Sequence, residues 1–231
     1  MSAIQRRLRG VVIAGNRIAA APTGLAGRHR DLAGRAALQR AVEGKVVLIT
    51  GASSGIGEAA ARLLGAAEAS VLLVARTGRE LDRVRGEIVD AGGSAFAYQC
   101  DLTDFDQLDA MLAKVLAEHA HVDVLVNNAG HSIRRRVERS DGRFHDFERL
   151  MRLNYLAAIR VTMGLLPSMR ERGSGQIVNV SSWAVQVRPA RFSGYTASKA
   201  ALEAWSDCVQ GEVLDDGIRF TTIRMPLVRT R

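Results

Sequence analysis

The chain has 231 residues, 47% of them hydrophobic, which is enough for one large domain or one domain with an extension. Cys100 and Cys208 fit no disulfide framework or metal site, which indicates a reducing compartment, and no apolar run approaches the roughly 20 residues of a membrane-spanning helix. The net charge of +8 is uneven, because residues 1–44 carry eight Arg against two acidic residues, or +6, and residues 45–231 carry only +2. This distribution gives no indication that the main domain binds nucleic acid.

Residues 1–44 are predicted to be a basic N-terminal extension of a main domain at 45–231. Over residues 1–19, apolar residues such as Ile4 and Leu8 share one helical face, with arginines opposite. Such a helix fits contact with an anionic membrane surface, a mitochondrial transit peptide, a flexible tail or a helix docked on the domain. Residues 20–44, rich in Ala, Gly and Arg, are predicted to form a linker.

From Lys45 onward, short apolar runs alternate with segments of helical periodicity. The predicted strands are 45–50, 70–75, 94–100, 122–128, 176–182 and 218–224, and the predicted helices are 55–67, 78–91, 104–120, 147–169 and 194–214. This order predicts an α/β fold with a doubly wound parallel sheet, helices on both faces and a ligand crevice at the carboxyl ends of the strands.

A glycine-rich turn, TGASSGIG, lies at residues 50–57 between the first strand and the first helix. Gly51 allows a tight turn, Gly55 lets the backbone approach a pyrophosphate, and Gly57 lets the helix pack on the strand. The spacing differs from G-x-G-x-x-G, and an ordinary turn is the alternative. The predicted cofactor-binding residues of this segment are Gly51, Ser53, Ser54, Gly55, Ile56 and Gly57.

The end of the second strand bears on the choice of cofactor. Dinucleotide sites often place an acid there to bind the ribose 2′-hydroxyl. This chain has Ala75 there, followed by Arg76 and Thr77. A cation without an acid suits a 2′-phosphate, so NADPH is favoured over NADH. The alternative is a solvated loop arginine.

Together these motifs resemble the short-chain dehydrogenase/reductase family over residues 45–231. The motifs occur in the family's order, and Ser182 lies 13 residues before Tyr195, as in the family. They are TGASSGIG (50–57), Asp101–Leu102 after the third strand, NNAG (127–130), Asn154, Ser182 and YTASK (195–199).

The resemblance implies a Rossmann-type fold that binds NADPH/NADP+ and a catalytic tetrad. The tetrad would be Asn154, Ser182, Tyr195 and Lys199, of which Tyr195 and Lys199 would also contact the cofactor. Asp101 would bond the adenine amino group beside Leu102, and Asn128, Ala129 and Gly130 would line the ribose. Asn154 would hold a water linking Lys199 to solvent. The helices at 147–169 and 194–214 would form the seam of a homodimer or homotetramer.

The chemistry of carbonyl reduction gives Tyr195 and Lys199 a physical role. Hydride transfer builds negative charge on the carbonyl oxygen, which a nearby proton donor neutralises. A free tyrosine has a pKa of about 10, and a cation one helical turn away favours the phenolate. Positions i and i+4 share a helical face, so Lys199 is expected near Tyr195, with Ser182 orienting the carbonyl. The alternative is that the pair only packs together.

The chain departs from the family in two ways. The family commonly has Pro-Gly and then Val-x-Thr against the nicotinamide; here RMPLVRTR (224–231) keeps Val228 and Thr230 but has Pro226 or Leu227 at the glycine position. The sequence stops at Arg231, before the helical substrate lobe and last strand of family members. The expectation is a truncated fold that shields substrate poorly from water.

Three segments, NNAGHSIRR (127–135), RFHDFERLMRLNY (143–155) and MPLVRT (225–230), look like the reductase domains of bacterial fatty acyl-CoA reductases. This narrower resemblance implies a long-chain acyl-CoA or fatty aldehyde substrate. Trp183, Val187 and Phe192 either line an apolar pocket for it or belong to the core. His131 is interpreted as structural or pocket-lining.

The predicted function is NADPH-dependent reduction of an apolar aldehyde, ketone or acyl thioester. The alternative is a non-catalytic NADPH-binding sensor or scaffold, favoured by the missing lobe. Nucleic-acid binding is disfavoured because aromatic residues are few and no recognition motif occurs. The predicted location is cytoplasmic, with peripheral membrane contact through residues 1–19, and no metal site is predicted.

Overall fold

The computed structural model describes residues 25–228, with side chains from residue 34 onward. Residues 38–231 group as one compact unit. The amphipathic helix predicted over residues 1–19, with its membrane contact, and Thr230 lie outside the described residues. Within residues 25–228, no helix combines the length and the apolar character needed to cross a bilayer.

The centre of the fold is a six-stranded, entirely parallel sheet with strand order β3-β2-β1-β4-β5-β6. Each predicted strand is present, with ends that differ by at most two residues. The strands are β1 (Val46–Thr50), β2 (Ser70–Ala75), β3 (Ser94–Gln99), β4 (Val124–Asn127), β5 (Gly175–Ser182) and β6 (Ile218–Met225).

Helices connect consecutive strands and cover both faces of the sheet. They are α1 (Leu25–Val42), α2 (Gly55–Gly65), α3 (Gly78–Asp90), α4 (Phe105–His119), α5 (Phe144–Met151), α6 (Ala158–Glu171), α7 (Ala184–Val187) and α8 (Ser193–Val213). A π-helical segment, Arg152–Ala157, joins α5 to α6, and a 3-10 turn, Val137–Arg139, lies in the loop after β4. The prediction of a doubly wound α/β fold is confirmed.

Two predicted segments differ from the structure. The linker expected over residues 20–44 contains α1, because Ala, Leu, Arg and Gln favour helix and Leu38 and Val42 pack against the core. The helix expected at 147–169 begins earlier, at Phe144, and continues through the π-helical segment to Glu171. The domain boundary placed at residue 44 stays a prediction.

Hydrophobic side chains form one core on each face of the sheet. In β1, Leu48 contributes to the core beneath α4 and α6, whereas Val47 and Ile49 contribute to the core beneath α2 and α3. All three are completely buried. Burial of both faces explains why β1 and β2 are nearly continuous apolar runs.

The strand order fixes where a ligand can bind. From β1 the chain winds outward through β2 and β3, and it then returns to build β4, β5 and β6 on the other side. The winding direction therefore reverses between β1 and β4. A crevice opens there, at the carboxyl ends of the strands.

Candidate active site

The glycine turn after β1 adopts a conformation and a packing that require glycine. Gly51 and Gly55 have φ angles of +67° and +57°, in the left-handed region. A Cβ atom on Gly51 would lie 2.9 Å from the Ala129 Cα, and one on Gly57 would lie 2.2 Å from the Gly51 carbonyl oxygen. The turn is therefore pressed against the loop after β4 and against the start of α2.

Hydrogen bonds between Thr50 and Asn128 hold this turn in place. The Asn128 side chain donates to the carbonyl oxygens of Thr50 and Gly51 over 3.0 and 3.1 Å. The Thr50 hydroxyl accepts the backbone N–H groups of Asn128 and Ala129, each at 3.0 Å. The amide of Asn128, predicted to line a ribose, is thus committed to the turn, and Thr50 is a supporting residue that sequence reasoning missed.

One half of the crevice, about 530 Å³, runs from the glycine turn across the ends of β2 and β3. It collects most of the residues predicted to bind the cofactor. They are Gly51, Ser53, Ser54, Arg76, Thr77, Asp101, Leu102, Ala129 and Gly130. Arg149 and Arg152 also line it, although the sequence analysis did not single them out.

Positive charge dominates this half of the crevice. Arg76 is exposed, and its guanidinium makes no ion pair with any described residue. Asp101 accepts hydrogen bonds from the hydroxyl and the amide of Thr103 at 2.7 and 2.9 Å. Those bonds, with the charges of Arg76 and Arg152, hold the pKa of Asp101 below its usual value. Arg152 is itself fixed 4.3 Å above the Phe105 ring and donates to the Thr103 carbonyl oxygen.

The other half is a pocket of about 310 Å³ where Ser182, Tyr195 and Lys199 meet. Gly130 and His131 line both halves, so the crevice is continuous. Further lining residues are Ile56, Asn128, Trp183, Phe192, Pro226, Leu227 and Val228. Of the three apolar residues considered for a substrate pocket, Trp183 and Phe192 line it, but Val187 is 61% exposed and belongs to neither the pocket nor the core.

Lys199 lies one helical turn after Tyr195 on α8 and is 3% exposed. Its ammonium group donates to the Val180 carbonyl oxygen at 2.8 Å. Burial lowers the pKa of Lys199 to about 8, and the negative charge of Glu203 opposes that change. The side chain can therefore gain or lose a proton near neutral pH.

Asn154 is completely buried in the π-helical segment and connects the loop after β4 to α8. Its carbonyl oxygen accepts the His131 N–H at 2.8 Å, and its amide donates to the His131 carbonyl oxygen at 2.9 Å. The same amide donates to the Ser198 hydroxyl, which donates to the Tyr195 carbonyl oxygen at 2.8 Å. The side chain predicted to hold a water is thus bonded to the protein, and it fixes the backbone around Tyr195.

A buried carboxylate that the sequence analysis missed lies one turn beyond Lys199. Glu203 accepts the Ser181 hydroxyl at 2.5 Å and pairs with Arg224 at 2.7 Å. These contacts tie α8 to the carboxyl ends of β5 and β6, beside Ser182. The repeated four-residue spacing of Tyr195, Lys199 and Glu203 was the available sequence signal.

A glycine turn at the switch point of a doubly wound sheet defines a dinucleotide-binding α/β protein. The family model described as short chain dehydrogenase matches residues 45–231. The chain therefore belongs to the short-chain dehydrogenase family, whose members are oxidoreductases that use NAD(P).

Individual relatives agree with this assignment. A fatty acyl-CoA reductase of Acinetobacter baylyi is 54% identical over 189 residues, which cover 82% of this chain and 64% of that protein. An uncharacterised oxidoreductase of Mycobacterium tuberculosis is 52% identical over 196 residues, which cover 84% of this chain and 58% of that protein. The crystal structure of a metagenomic short-chain oxidoreductase in complex with NADP matches with a TM-score of 0.76 and 35% identity, covering 81% of this chain and 85% of that one. The chain thus spans 64% and 58% of the length of these two curated relatives.

Proposed function

We propose that this protein reduces the carbonyl group of an apolar substrate with NADPH. The observation that carries the proposal is the convergence of Ser182, Tyr195 and Lys199 in one pocket that continues into the crevice beside the glycine turn. A reacting carbonyl in that pocket would lie between a proton donor and a dinucleotide. This arrangement suits hydride transfer coupled to protonation.

Two features of this chain make the crevice suitable for a dinucleotide. Gly51, Ser53 and Ser54 line the crevice before the start of α2, where backbone N–H groups would bind a pyrophosphate. One carboxylate oxygen of Asp101 is occupied by Thr103, and the other is available to an adenine amino group. When bound, NADPH would supply the hydride.

The pocket residues would manage charge and protons. The Ser182 hydroxyl would bond the substrate carbonyl, and the Tyr195 hydroxyl would donate its proton to the oxygen as negative charge develops. The Lys199 ammonium would stabilise the phenolate that results. Because the pKa of Lys199 is about 8, this lysine could also return a proton to the site near neutral pH.

Arg76 supports the choice of NADPH over NADH. Its guanidinium follows β2 and lines the crevice without an ion pair among the described residues. Arginine binds phosphate oxygens with two parallel hydrogen bonds, so Arg76 suits the ribose 2′-phosphate. Similar solved structures contain NADP, NADH or NAD+, so the choice rests on Arg76.

The apolar character of the substrate rests on the pocket wall and on the relatives. Trp183, Phe192 and Leu227 line the pocket. A fatty acyl-CoA reductase is 54% identical to this chain over most of its length. A long-chain acyl thioester or fatty aldehyde is therefore the proposed substrate class.

We also propose that the protein is a homodimer or homotetramer. Leu156 and Met163, on the face of the π-helical segment and α6, are 42% and 59% exposed. Pairing of these faces between two copies would bury them. This assembly follows the pattern predicted from the family resemblance.

The test is NADPH oxidation by the full chain with aldehydes, ketones and acyl-CoAs of increasing length, and with NADH in parallel. We expect turnover that rises with chain length and that Tyr195→Phe reduces by at least a thousandfold, since the proton donor is lost. Tyr155→Phe is the matched control, because the Tyr155 hydroxyl makes no hydrogen bond within the described residues. NADPH binding without turnover on any substrate would refute the proposal and favour a sensor or scaffold.

A further inference from the structure

Two loops beside the active-site pocket concentrate positive charge that the proposed reduction does not use. The loop at residues 131–143 and the loop at residues 188–191 together contain seven arginines and two acidic residues, a net charge of +5. Residues 45–231 as a whole carry only +2. The remaining residues of the main domain therefore carry a net charge of −3, so the two loops are much more positive than the rest of the domain.

Both loops border the mouth of the pocket. His131 and Ser132 line the pocket at the start of the first loop, and Pro189 and Phe192 line it within and just after the second. The backbone N–H of Arg135 donates to the Arg191 carbonyl oxygen at 2.8 Å, which joins the two loops. Arg188 is therefore adjacent to the pocket-lining Pro189, and Arg134 follows Ser132 by two residues, whereas Arg191 lines a neighbouring cavity with Ile133 and Asp146.

Some of these arginines have a partner within the protein. Arg135 and Arg143 both pair with the buried carboxylate of Asp146, at 3.3 and 2.9 Å, and Arg136 pairs with Glu138. Four others are exposed and make no ion pair among the described residues. These four, which we term the arginine rim, are Arg134, Arg139, Arg188 and Arg191.

Two members of the arginine rim also have an unfavourable backbone conformation. Arg188 and Arg191 have φ angles of +51° and +74°, which are uncommon for residues other than glycine. Strained backbone conformations of this kind concentrate at functional sites. The conformation of Arg188 ends helix α7, and that of Arg191 has no such role, while the neighbouring like charges repel one another.

We propose that the arginine rim binds the phosphate groups of a coenzyme A thioester whose acyl carbonyl reaches Tyr195 in the pocket. Coenzyme A joins a cluster of anionic phosphates to an apolar acyl group through an extended arm, and the entrance pairs a cationic rim with an apolar pocket. Guanidinium groups suit phosphate oxygens in geometry and charge. The phosphates of NADPH would bind at the glycine turn and Arg76, in the other half of the crevice.

This inference rests on the proposed carbonyl reduction, and the reaction it implies is balanced. The thioester carbonyl carbon gains the hydride, and the C–S bond breaks with its electron pair leaving on sulfur. One proton is taken up, so acyl-CoA, NADPH and H+ give a fatty aldehyde, NADP+ and the free thiol of coenzyme A. The only reductant that the reaction needs is the NADPH already proposed.

The first test compares two thioesters of the same long acyl chain, one with coenzyme A and one with N-acetylcysteamine, which lacks the phosphates. In the double variant Arg134→Gln/Arg188→Gln we expect the KM for the CoA thioester to rise at least tenfold and the KM for the truncated thioester to stay unchanged. Arg219→Gln is the matched control, because Arg219 is also exposed and without an ion pair among the described residues, but lies at the amino end of β6. Raising the salt concentration should increase the KM for the CoA thioester in the wild type more than in the double variant.

A second measurement separates this inference from the proposed reduction. Calorimetric titration of the full chain with coenzyme A, with NADP+ at saturation to occupy the dinucleotide crevice, needs no turnover. Binding that the double variant weakens tenfold would support the arginine rim even if no substrate were reduced. Turnover with equal KM values for the two thioesters, or with a preference for acyl carrier protein thioesters, would overturn the rim while leaving the reduction intact.

Discussion

Lys199 is a cation held away from water, and we expect its removal to stabilise the fold while abolishing carbonyl reduction. Burial moves the pKa of Lys199 from 10.5 to about 8, which corresponds to about 3 kcal/mol of lost stability when the lysine is charged. Lys199→Met removes that cost. It also removes the hydrogen bond to the Val180 carbonyl oxygen, which is worth about 1 kcal/mol. The variant should therefore be more stable than the wild type by about 2 kcal/mol at pH 7.

The pH dependence of this stability difference tests whether the buried charge of Lys199 is its cause. Below pH 8, Lys199 is charged in the folded and the unfolded chain, and the full cost of burial is present. Between about pH 8 and pH 10.5 the folded protein releases the proton while the unfolded chain keeps it, so the stability of the wild type rises. Relative to Lys199→Met, the wild type should gain about 3 kcal/mol over this interval.

Urea unfolding of the cofactor-free protein at several pH values between about 6.5 and 10.5 would measure this gain. Lys114→Met is the control, because the Lys114 side chain is 63% exposed and its removal should give a difference that varies little with pH. A stability difference between wild type and Lys199→Met that stays constant across the range would refute the reasoning. The charge of Lys199 would then cost the fold nothing.

Three further predictions follow from the same contacts. Gly57→Ala would place a Cβ atom 2.2 Å from a backbone carbonyl oxygen of the turn, so we expect the Kd for NADPH, measured by calorimetry, to rise at least tenfold. Gly86→Ala is the control: open space surrounds Gly86, so this substitution should leave the Kd unchanged. Arg76→Gln should raise the KM for NADPH about ten- to a hundredfold and leave that for NADH unaltered; an equal effect on both would contradict the 2′-phosphate assignment. Glu203→Gln removes one charge from the ion pair with Arg224 and should lower the free energy of unfolding by about 1–2 kcal/mol, a loss that Glu203→Asp should partly avoid.

The fold was predictable largely because the central strands β1 and β2 are buried on both faces. Burial forces an almost unbroken apolar run in β1 and β2, and the intervening helices carry the periodicity that a sheet cover needs. Helix α1 was not predictable in this way, since its apolar residues form only a weak stripe among arginines. The π-helical segment was also not predictable, because its six residues are too few to show a period different from that of the α-helices on either side.

The candidate site was predictable where a residue acts through its own local geometry. Gly51 and Gly57 are needed by the turn itself, and the spacing of Tyr195 and Lys199 places both on one helical face. The hydrogen-bond partner of Asn128 was not predictable, because a side-chain amide after a strand can donate equally well to a ligand or to a backbone carbonyl oxygen. Glu203 was missed because its partners come from β5 and β6, which meet α8 only in the folded protein.

The segment after β4 links the parts of the site that these proposals treat separately. Asn128 holds the glycine turn, and the backbone of His131 holds Asn154 and, through Ser198, the first turn of α8. Gly130 lies between them, where a Cβ atom would be 3.2 Å from the Lys199 ammonium. The same segment continues directly into the arginine rim. A CoA thioester bound at the arginine rim would therefore restrain the loop that positions both the glycine turn and Tyr195. The thioesters of coenzyme A and N-acetylcysteamine should then differ in kcat as well as in KM.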